Sequence, residues 1–433
     1  MNSREIILDI LLEMERNGEF SSTLIKGVLD KYDYLPSQEK AFIKRVTEGS
    51  IERQIELDFI LNQFSSVPVR KMKPLIRCLM RMSVYQLLYM DAVPDSAVCN
   101  EAVKLAAKRK FQSLKGFVNG ILRNISRNKE SIAYPDPEKE PQKSLSIRYS
   151  MPLWLVVLWE KEYGRERTER LLEGLLRIHP VSIRFVEALD KEKLLWYIAQ
   201  MEKQGITVTP STLHSRVYLL SGVEGVAALP GYEEGAFTVQ DASSALSVEA
   251  AKIHPGDFVM DICAAPGGKS LFASEKAGKE GRILSSDVRE EKLERMEENA
   301  RRLHADNITV REWDGRQLDP SYVGKADVVL LDVPCSGLGV MGKKRDIKYH
   351  VTPEGLEELS KLQREIVSGS WQYVRPGGVL LYSTCTIRKE ENEEMAAWIE
   401  KTFPFTLEES KQLMPGEDDC DGFFFARLRR KQE

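Results

Sequence analysis

DFVMDICAAPGGKS, residues 257–270, runs from a short apolar segment straight into a Gly-rich loop. An apolar run of this length closed by Gly reads as a buried strand. Two adjacent glycines after it let the backbone come close to a ligand. The same rhythm repeats down the chain. Apolar runs recur at RILSSD (282–287), NITVRE (307–312), ADVVLLD (326–332) and GVLLYST (378–384). Between them lie amphipathic stretches, notably VREEKLERMEENARRL (288–303) and PEGLEELSKLQREIVSGSWQYV (353–374). Continuous apolar strands alternating with amphipathic helices predict a parallel sheet covered on both faces. In such open sheets ligands bind outside the carboxyl ends of the strands. The unusual residues fall on those ends. Cys263, Ala264, Ala265, Pro266, Gly267, Gly268 and Lys269 follow the first strand. Asp287 closes the second, Asp314 lies just past the third, and Asp332 closes the fourth, with Cys335 beyond it in LDVPCSG (331–337). Cys385 follows the fifth in LLYSTCT (380–386). One crevice is expected to collect them all.

The rest of the chain has a different texture. At 433 residues it is comfortable for two or three domains. Ile6, Ile7, Ile10 and Leu11 recur at helical spacing, as do Leu57, Ile60 and Leu61, then Leu75, Leu79, Met82 and Tyr85. Val98, Ala102, Leu105 and Ala106 continue the pattern, and strand-like alternation is lacking. Residues 1–132 are therefore predicted to be all-helical. AYPDPEKEPQK (133–143) reads as a linker. Residues 144–235 open with PLWLVVLWEKEYG (152–164) and carry the strand-like VSIRFV (181–186) and RVYLL (216–220), a small α+β domain. Residues 236–433 form the α/β domain.

Composition bounds the function. Hydrophobic residues make up 42% and charged ones 30%, an ordinary globular balance. No stretch approaches the roughly 20 apolar residues of a membrane helix, and the N-terminus lacks the pattern of a secretory signal. Six cysteines without a CxxC pair, and only five His, give little support to zinc or disulfides. A cytoplasmic protein with reduced thiols, no metal and no membrane partner is expected. The net charge of −4 hides an asymmetry. Residues 61–130 hold 13 Lys and Arg against 4 Asp and Glu. Such an excess suits a polyanion, since each phosphate neutralised by Lys or Arg releases condensed counterions; a solvated helix face is the plainer alternative.

CAAPGGK lacks GxGxxG spacing and misses the phosphate loop GxxxxGK[ST], because Cys263 stands where that motif needs its first Gly. Asp287, at a strand end, suits the hydroxyls of a ribose. Asp314 suits an adenine amino group, or is simply the turn residue of WDGR. Cysteines at strand ends are usually small buried hydrophobes, the reading given to Cys78, Cys99, Cys263 and Cys420. Two of them beside a cofactor loop, Cys335 and Cys385, point instead to covalent chemistry. The basic run after Cys335, GKKRDIK (342–348), suits a phosphate backbone or a solvated loop.

DICAAPGGKS, LDVPCSGLGV and the STCT turn together resemble the RNA cytosine carbon-5 methyltransferases of the NOL/NOP/Sun family, over residues 236–433. VCNEAVKLAAK (98–108) and GFVNGILRNI (116–125) resemble two helices of NusB, an RNA-binding fold. That pairing is the architecture of the bacterial Sun/Fmu-type 16S rRNA methyltransferases. Two departures from the family pattern are Arg184-Phe-Val-Glu187 and Arg345. The resemblance implies a Rossmann-like domain that binds S-adenosylmethionine through Cys263–Lys269, Asp287, Asp314 and Asp332, and a 16S rRNA substrate for a monomeric enzyme. It implies that Cys385 attacks carbon 6 of the cytosine, that Cys335 assists release of the methylated base, and that Asp332 binds the N3/amino edge. Two other readings stand beside it. In DNA cytosine methyltransferases the Pro-Cys thiol is the nucleophile, which here is Cys335. A non-catalytic RNA-binding factor would keep the α/β fold as a scaffold.

Overall fold

The structure, a computed structural model, describes residues 2–18, 21–177 and 180–432. They pack as two compact units, Met1–Leu176 with Lys343–His350, and Arg177–Gly342 with Val351–Glu433.

The first unit is helical: α1 (Ser3–Asn17), α2 (Ser21–Lys31), α3 (Ser37–Glu52), α4 (Gln54–Phe64), α5 (Pro74–Tyr89), α6 (Asp95–Lys108), α7 (Lys115–Arg127), α8 (Pro141–Arg148), α9 (Leu153–Tyr163) and α10 (Arg165–Leu175). Local signals set the ends of α1. The Asn2 side chain accepts the Arg4 N–H, and Gly18 closes the helix at φ +65°. Helix α5 buries Ile76, Leu79, Met80, Met82, Val84 and Leu87, more than one face of it. A helix apolar around much of its circumference is a central one. The expected linker is docked rather than loose. Tyr134 stacks on Phe59 and its hydroxyl donates to Glu56 (2.8 Å), and α8 already starts at Pro141.

Residues 343–350 also belong to this unit, which corrects the reading of the basic run as a whole. Arg345 pairs with Glu48 and Glu52 (2.6 and 3.0 Å). Lys348 is buried and donates to the carbonyls of Glu52 and Ser150 (2.7 Å each). Only Lys343 and Lys344 of the four basic side chains are exposed. The sequence shows charge but not partners, and the carboxylates that neutralise Arg345 lie almost three hundred residues upstream.

The second unit carries two sheets. The smaller is antiparallel, in the order β2 (Thr207–Pro210), β3 (Val217–Ser221), β1 (Val181–Phe185) and β4 (Phe237–Val239), with α11 (Lys191–Lys203) between β1 and β2. Helices α8–α10 of the 144–235 segment thus group with the first unit and its strands with the second. After α12 (Ala242–Ala250) the chain enters a seven-stranded sheet. It is built from β5 (Phe258–Asp261), β6 (Arg282–Asp287), β7 (Ile308–Glu312), β8 (Ala326–Asp332), β9 (Val374–Thr384), β10 (Phe405–Leu413) and β11 (Phe423–Arg430). Connecting helices are α13 (Gly268–Ala277), α14 (Glu290–Arg302), α15 (Pro353–Ser370) and α16 (Glu393–Thr402).

The order is β10-β11-β9-β8-β5-β6-β7. Strands β5 to β9 run parallel, as expected, and β10 and β11 add an antiparallel edge. The chain moves outward from β5 through β7 and then returns to β8 on the other side of β5. That reversal opens a crevice at the carboxyl ends of β5 and β8. One face of the sheet buries Met260, Val329, Leu331, Leu380 and Tyr382 among others, the other Val259, Val328, Leu330 and Leu381. Among the described residues no helix is long and apolar enough to cross a membrane.

Candidate active site

Strand β5 ends at Asp261, fully buried, whose Oδ2 accepts from Ser270 Oγ (2.6 Å) while Oδ1 has no partner among the described residues. Burial pushes this carboxyl up to about 7. The loop that follows is pinned to the neighbouring strand. Ala264 N–H donates to the Ser286 carbonyl (2.9 Å), and Ala265 N–H to Asp287 Oδ2 (3.3 Å). Gly267 turns the chain at φ +100°, where a Cβ would sit 2.8 Å from Met296 Cγ, so only Gly fits without strain. Gly268 then starts α13, and its carbonyl accepts from Gln240 Nε2 (3.0 Å).

Gln240 is in turn held by Arg184, a fully buried residue of β1 that pairs with Glu275 of α13 and lies over the Phe272 ring. Glu187 pairs with Lys276 on the same helix. The departure at 184–187 therefore bears on how the Gly267-Gly268 loop is buttressed, and Arg184 is enclosed within this unit.

The carboxylates expected at the strand ends converge. Burial first, then the charges of Asp261, Asp287, Asp332 and Asp314, hold the Cys263 thiol well above its usual range. Cys263 is thus an unreactive lining residue. Asp287 also accepts from Arg289 N–H (3.3 Å). Asp314 does form the turn: Arg316 N–H donates to it (3.0 Å) and the Arg316 guanidinium, pairing at 2.7 Å, draws its carboxyl below the usual range. Asp332 is held from two sides, by Lys269 Nζ on Oδ2 (2.6 Å) and Ser383 Oγ on Oδ1 (2.9 Å). Lys269 is buried, 5.0 Å over the Phe423 ring, so its charge is spent on Asp332 and the ring.

The two thiols meet. Asp332 of β8 lies opposite Ser383 of the parallel β9, so both loops leave the sheet at one level. Cys335 Sγ and Cys385 Sγ are 3.3 Å apart, and none of the six cysteines is bridged. Gly339 N–H donates to the Cys385 carbonyl (3.1 Å), and a Cβ on Gly339 would strike the Gly422 carbonyl at 2.1 Å. The hydrogen bond to Cys385, then burial, then the Cys385 and Glu391 charges, hold the Cys335 thiol well above its usual range.

A set of residues that the sequence did not mark surrounds this pair. Glu391 and Asn392 are both fully buried. Glu391 accepts from Ser336 and Gln363, and Asn392 accepts from Thr384 Oγ1 (2.5 Å) and donates to the Thr386 carbonyl (3.0 Å). Their run, RKEENEE (388–394), has the composition of a solvated surface. Its position a few residues beyond a strand-end cysteine is the one signal that could have found them.

This crevice fits an S-adenosylmethionine molecule in its chemistry. The lining is rich in acceptors, with Asp287 and Asp314 carboxylates, an unpartnered Asp261 oxygen and a Gly-Gly backbone, against a ligand that carries a sulfonium, an ammonium, ribose hydroxyls and an adenine amino group.

Comparison with known proteins gives the family and the fold. The family model described as 16S rRNA methyltransferase RsmB/F matches residues 248–429, and the NusB family matches 1–127. The chain is 32% identical to the "Probable ribosomal RNA small subunit methyltransferase B" of Bacillus subtilis, over 99% of this chain and 98% of the relative. It is 30% identical to ribosomal RNA small subunit methyltransferase B of Citrobacter koseri, over 99% of each. The crystal structure of PH0851 superposes with a TM-score of 0.82 at 25% identity, covering 99% of this chain and 98% of that one.

Proposed function

The chain belongs to the RsmB/F family of 16S rRNA methyltransferases, and on that premise we propose that it methylates carbon 5 of a cytosine in 16S rRNA through a covalent Cys385 adduct at carbon 6. The observation that carries this reading is the pair of sulfurs, 3.3 Å apart, at the ends of β8 and β9 and on the same sheet edge as the CAAPGGK loop.

Carbon 5 of cytosine is too weak a nucleophile to take a methyl group unaided. Addition of a thiolate at carbon 6 makes the ring enamine-like and carbon 5 nucleophilic. Cys263–Lys269, Asp287 and Asp314 would hold S-adenosylmethionine, which would supply the methyl group on its sulfonium. After transfer the carbon-5 proton passes to water, its bonding electrons re-form the carbon 5–carbon 6 double bond, and the carbon 6–sulfur bond breaks to return Cys385 as the thiolate.

The two thiols take different tasks in this reading. The Cys335 thiol is held well above its usual range, by its hydrogen bond to Cys385 first and burial next, and the two sulfurs lie 3.3 Å apart, where either can be the donor. The resemblance to the NOL/NOP/Sun enzymes assigns attack to Cys385 and the later step, release of the base, to Cys335, and a raised Cys335 thiol suits a group that stays protonated during attack. Asp332 binds the N3/amino edge. A carboxylate offers about four acceptor positions, and Lys269 and Ser383 fix its plane while leaving others open. The basic surface of residues 1–132 supplies affinity for the rRNA backbone.

Purified protein, S-adenosylmethionine and in vitro transcribed 16S rRNA, followed by chemical mapping of 5-methylcytosine, test the reading. One cytosine should gain the mark. Methylation of a different base, or of another atom of cytosine, would replace it.

A further inference from the structure

We propose that Glu391 is the positioning residue that holds Cys335 against Cys385 and so makes release of the methylated base possible. The proposal rests on the two-thiol reading above and assigns a role to a carboxylate that takes no part in that chemistry.

Glu391 lies in the turn between β9 and α16, and none of it reaches solvent. Its Oε1 accepts from Ser336 Oγ (2.6 Å), and its Oε2 from Ser336 N–H and Gln363 Nε2 (2.9 Å each). Gln363, on α15, also donates to the Pro334 carbonyl (3.0 Å). The carboxylate therefore grips the residues on either side of Cys335. Ser336 Oγ stands 2.7 Å from Thr386 Oγ1, the residue after Cys385. A serine hydroxyl has one proton; given to Glu391, it leaves Ser336 as acceptor for Thr386. Tyr382 of β9 donates to the Glu391 carbonyl (2.7 Å) and ties the acid to the strand that carries Cys385.

The neighbouring Asn392 holds the other loop, through Thr384 and Thr386. Two adjacent side chains thus grip one thiol loop each. A buried carboxylate is tolerated only when fully hydrogen-bonded, and all of this one's donors come from Ser336 and Gln363. Truncating Glu391 strands the Ser336 donors of the Cys335 loop and the Gln363 amide that supports it, while Asn392 continues to hold the Cys385 loop. The defect should therefore fall on the step that Cys335 serves. An amide at this position can keep the geometry. Its oxygen can take the Ser336 and Gln363 N–H groups, and its nitrogen can donate to Ser336 Oγ.

The test uses the full chain, tritiated S-adenosylmethionine and in vitro transcribed 16S rRNA, with Glu391→Ala, Glu391→Gln, Ser336→Ala and Cys335→Ala side by side. Three quantities are read: first-turnover methyl transfer, denaturation-resistant RNA adduct, and steady-state turnover. Cofactor affinity by calorimetry reports an intact fold. Glu391→Ala should transfer methyl in the first turnover yet retain adduct, with turnover lower by between about 10- and 100-fold, the cost of a small misplacement. Glu391→Gln should restore release. If Glu391→Ala does not fold, Ser336→Ala should retain adduct in the same way, more weakly. Release at the parental rate in the truncated variants overturns the proposal, as does loss of adduct formation itself, or a Glu391→Gln as defective as Glu391→Ala. Adduct in Cys335→Ala but not in Glu391→Ala removes the clamp alone. No adduct in Cys335→Ala removes the two-thiol reading beneath it.

Discussion

Lys269 Nζ lies 2.6 Å from Asp332 Oδ2, so the Gly267-Gly268-Lys269 loop and the acid on the adjacent strand are joined by one ion pair at the edge of the sheet. In the proposed reaction Lys269 belongs to the loop that would hold the methyl donor, and Asp332 to the strand end that would meet the base. Phe423 lies under the ammonium and Ser383 holds the second carboxylate oxygen, so neither partner can rotate without losing the other.

Lys269→Met should therefore damage turnover as well as cofactor affinity. With the cation gone, Asp332 keeps only Ser383. Turnover at saturating S-adenosylmethionine should fall between about 10- and 100-fold, the scale of a misplaced catalytic group. Steady-state kinetics over a range of cofactor concentrations separates the effects. A change confined to KM for the cofactor would mean that Lys269 does not orient Asp332.

Asp287→Ala should act on the cofactor alone. The side chain supports the loop at Ala265 and offers acceptors for a ribose. Its loss should weaken cofactor binding by roughly 1–3 kcal/mol, the cost of losing a hydrogen bond to a charged group. Calorimetry with the folded variant reads this directly, and unchanged affinity would take Asp287 out of the site.

Most of the catalytic sheet was legible because its signals are local. Each of β5 to β9 is an apolar run bounded by turn residues, and the unusual side chains sit within a few positions of the strand ends. The edge was not legible. FTLEESKQL of β10 buries little beyond Phe405 and Leu413, as an outer strand does, and reads as a polar loop. Strands β2 and β4 are only four and three residues long, too short for periodicity to register. In the site, the cofactor loop and the two cysteines are contiguous motifs. Glu391 was hidden because charge in a sequence implies solvent, and only the fold reveals Ser336 and Gln363 waiting for a carboxylate. Arg345 and Lys348 misled for the same reason.

Asp261 gives a pH signature. Its folded carboxyl titrates at about 7, against an ordinary value of about 4 for the unfolded chain. Between those values the folded state holds a proton that the unfolded state has released. The Asp261 contribution to stability therefore falls as pH rises from about 4 to about 7, and stays lost above. Asp261→Asn cannot ionise. Denaturant unfolding of variant and parent across this window should show the difference moving in the variant's favour, by on the order of 2–4 kcal/mol. A pH-independent difference would contradict it.

Affinity for rRNA should depend steeply on salt. Deleting residues 1–132 is a poor test, because residues 343–350 belong to the same compact unit and would lose their packing. Arg70, Lys71 and Lys73 are exposed, clustered before α5, and suited to substitution. Replacing all three by Gln should weaken 16S rRNA binding. The slope of log affinity against log salt should flatten by about one for every backbone phosphate that is no longer neutralised. An unchanged slope would place the RNA elsewhere.

The central claim is that Cys385 attacks and Cys335 acts afterwards, and the most direct measurement is the denaturation-resistant RNA adduct in Cys335→Ala and Cys385→Ala. With S-adenosylmethionine and 16S rRNA, Cys335→Ala should accumulate a covalent protein–RNA species, and Cys385→Ala should form none and turn over no substrate. The reverse pattern, an adduct that needs Cys335 and survives loss of Cys385, would contradict the account and make Cys335 the nucleophile. Equal activity in the two variants would remove covalent catalysis from it altogether.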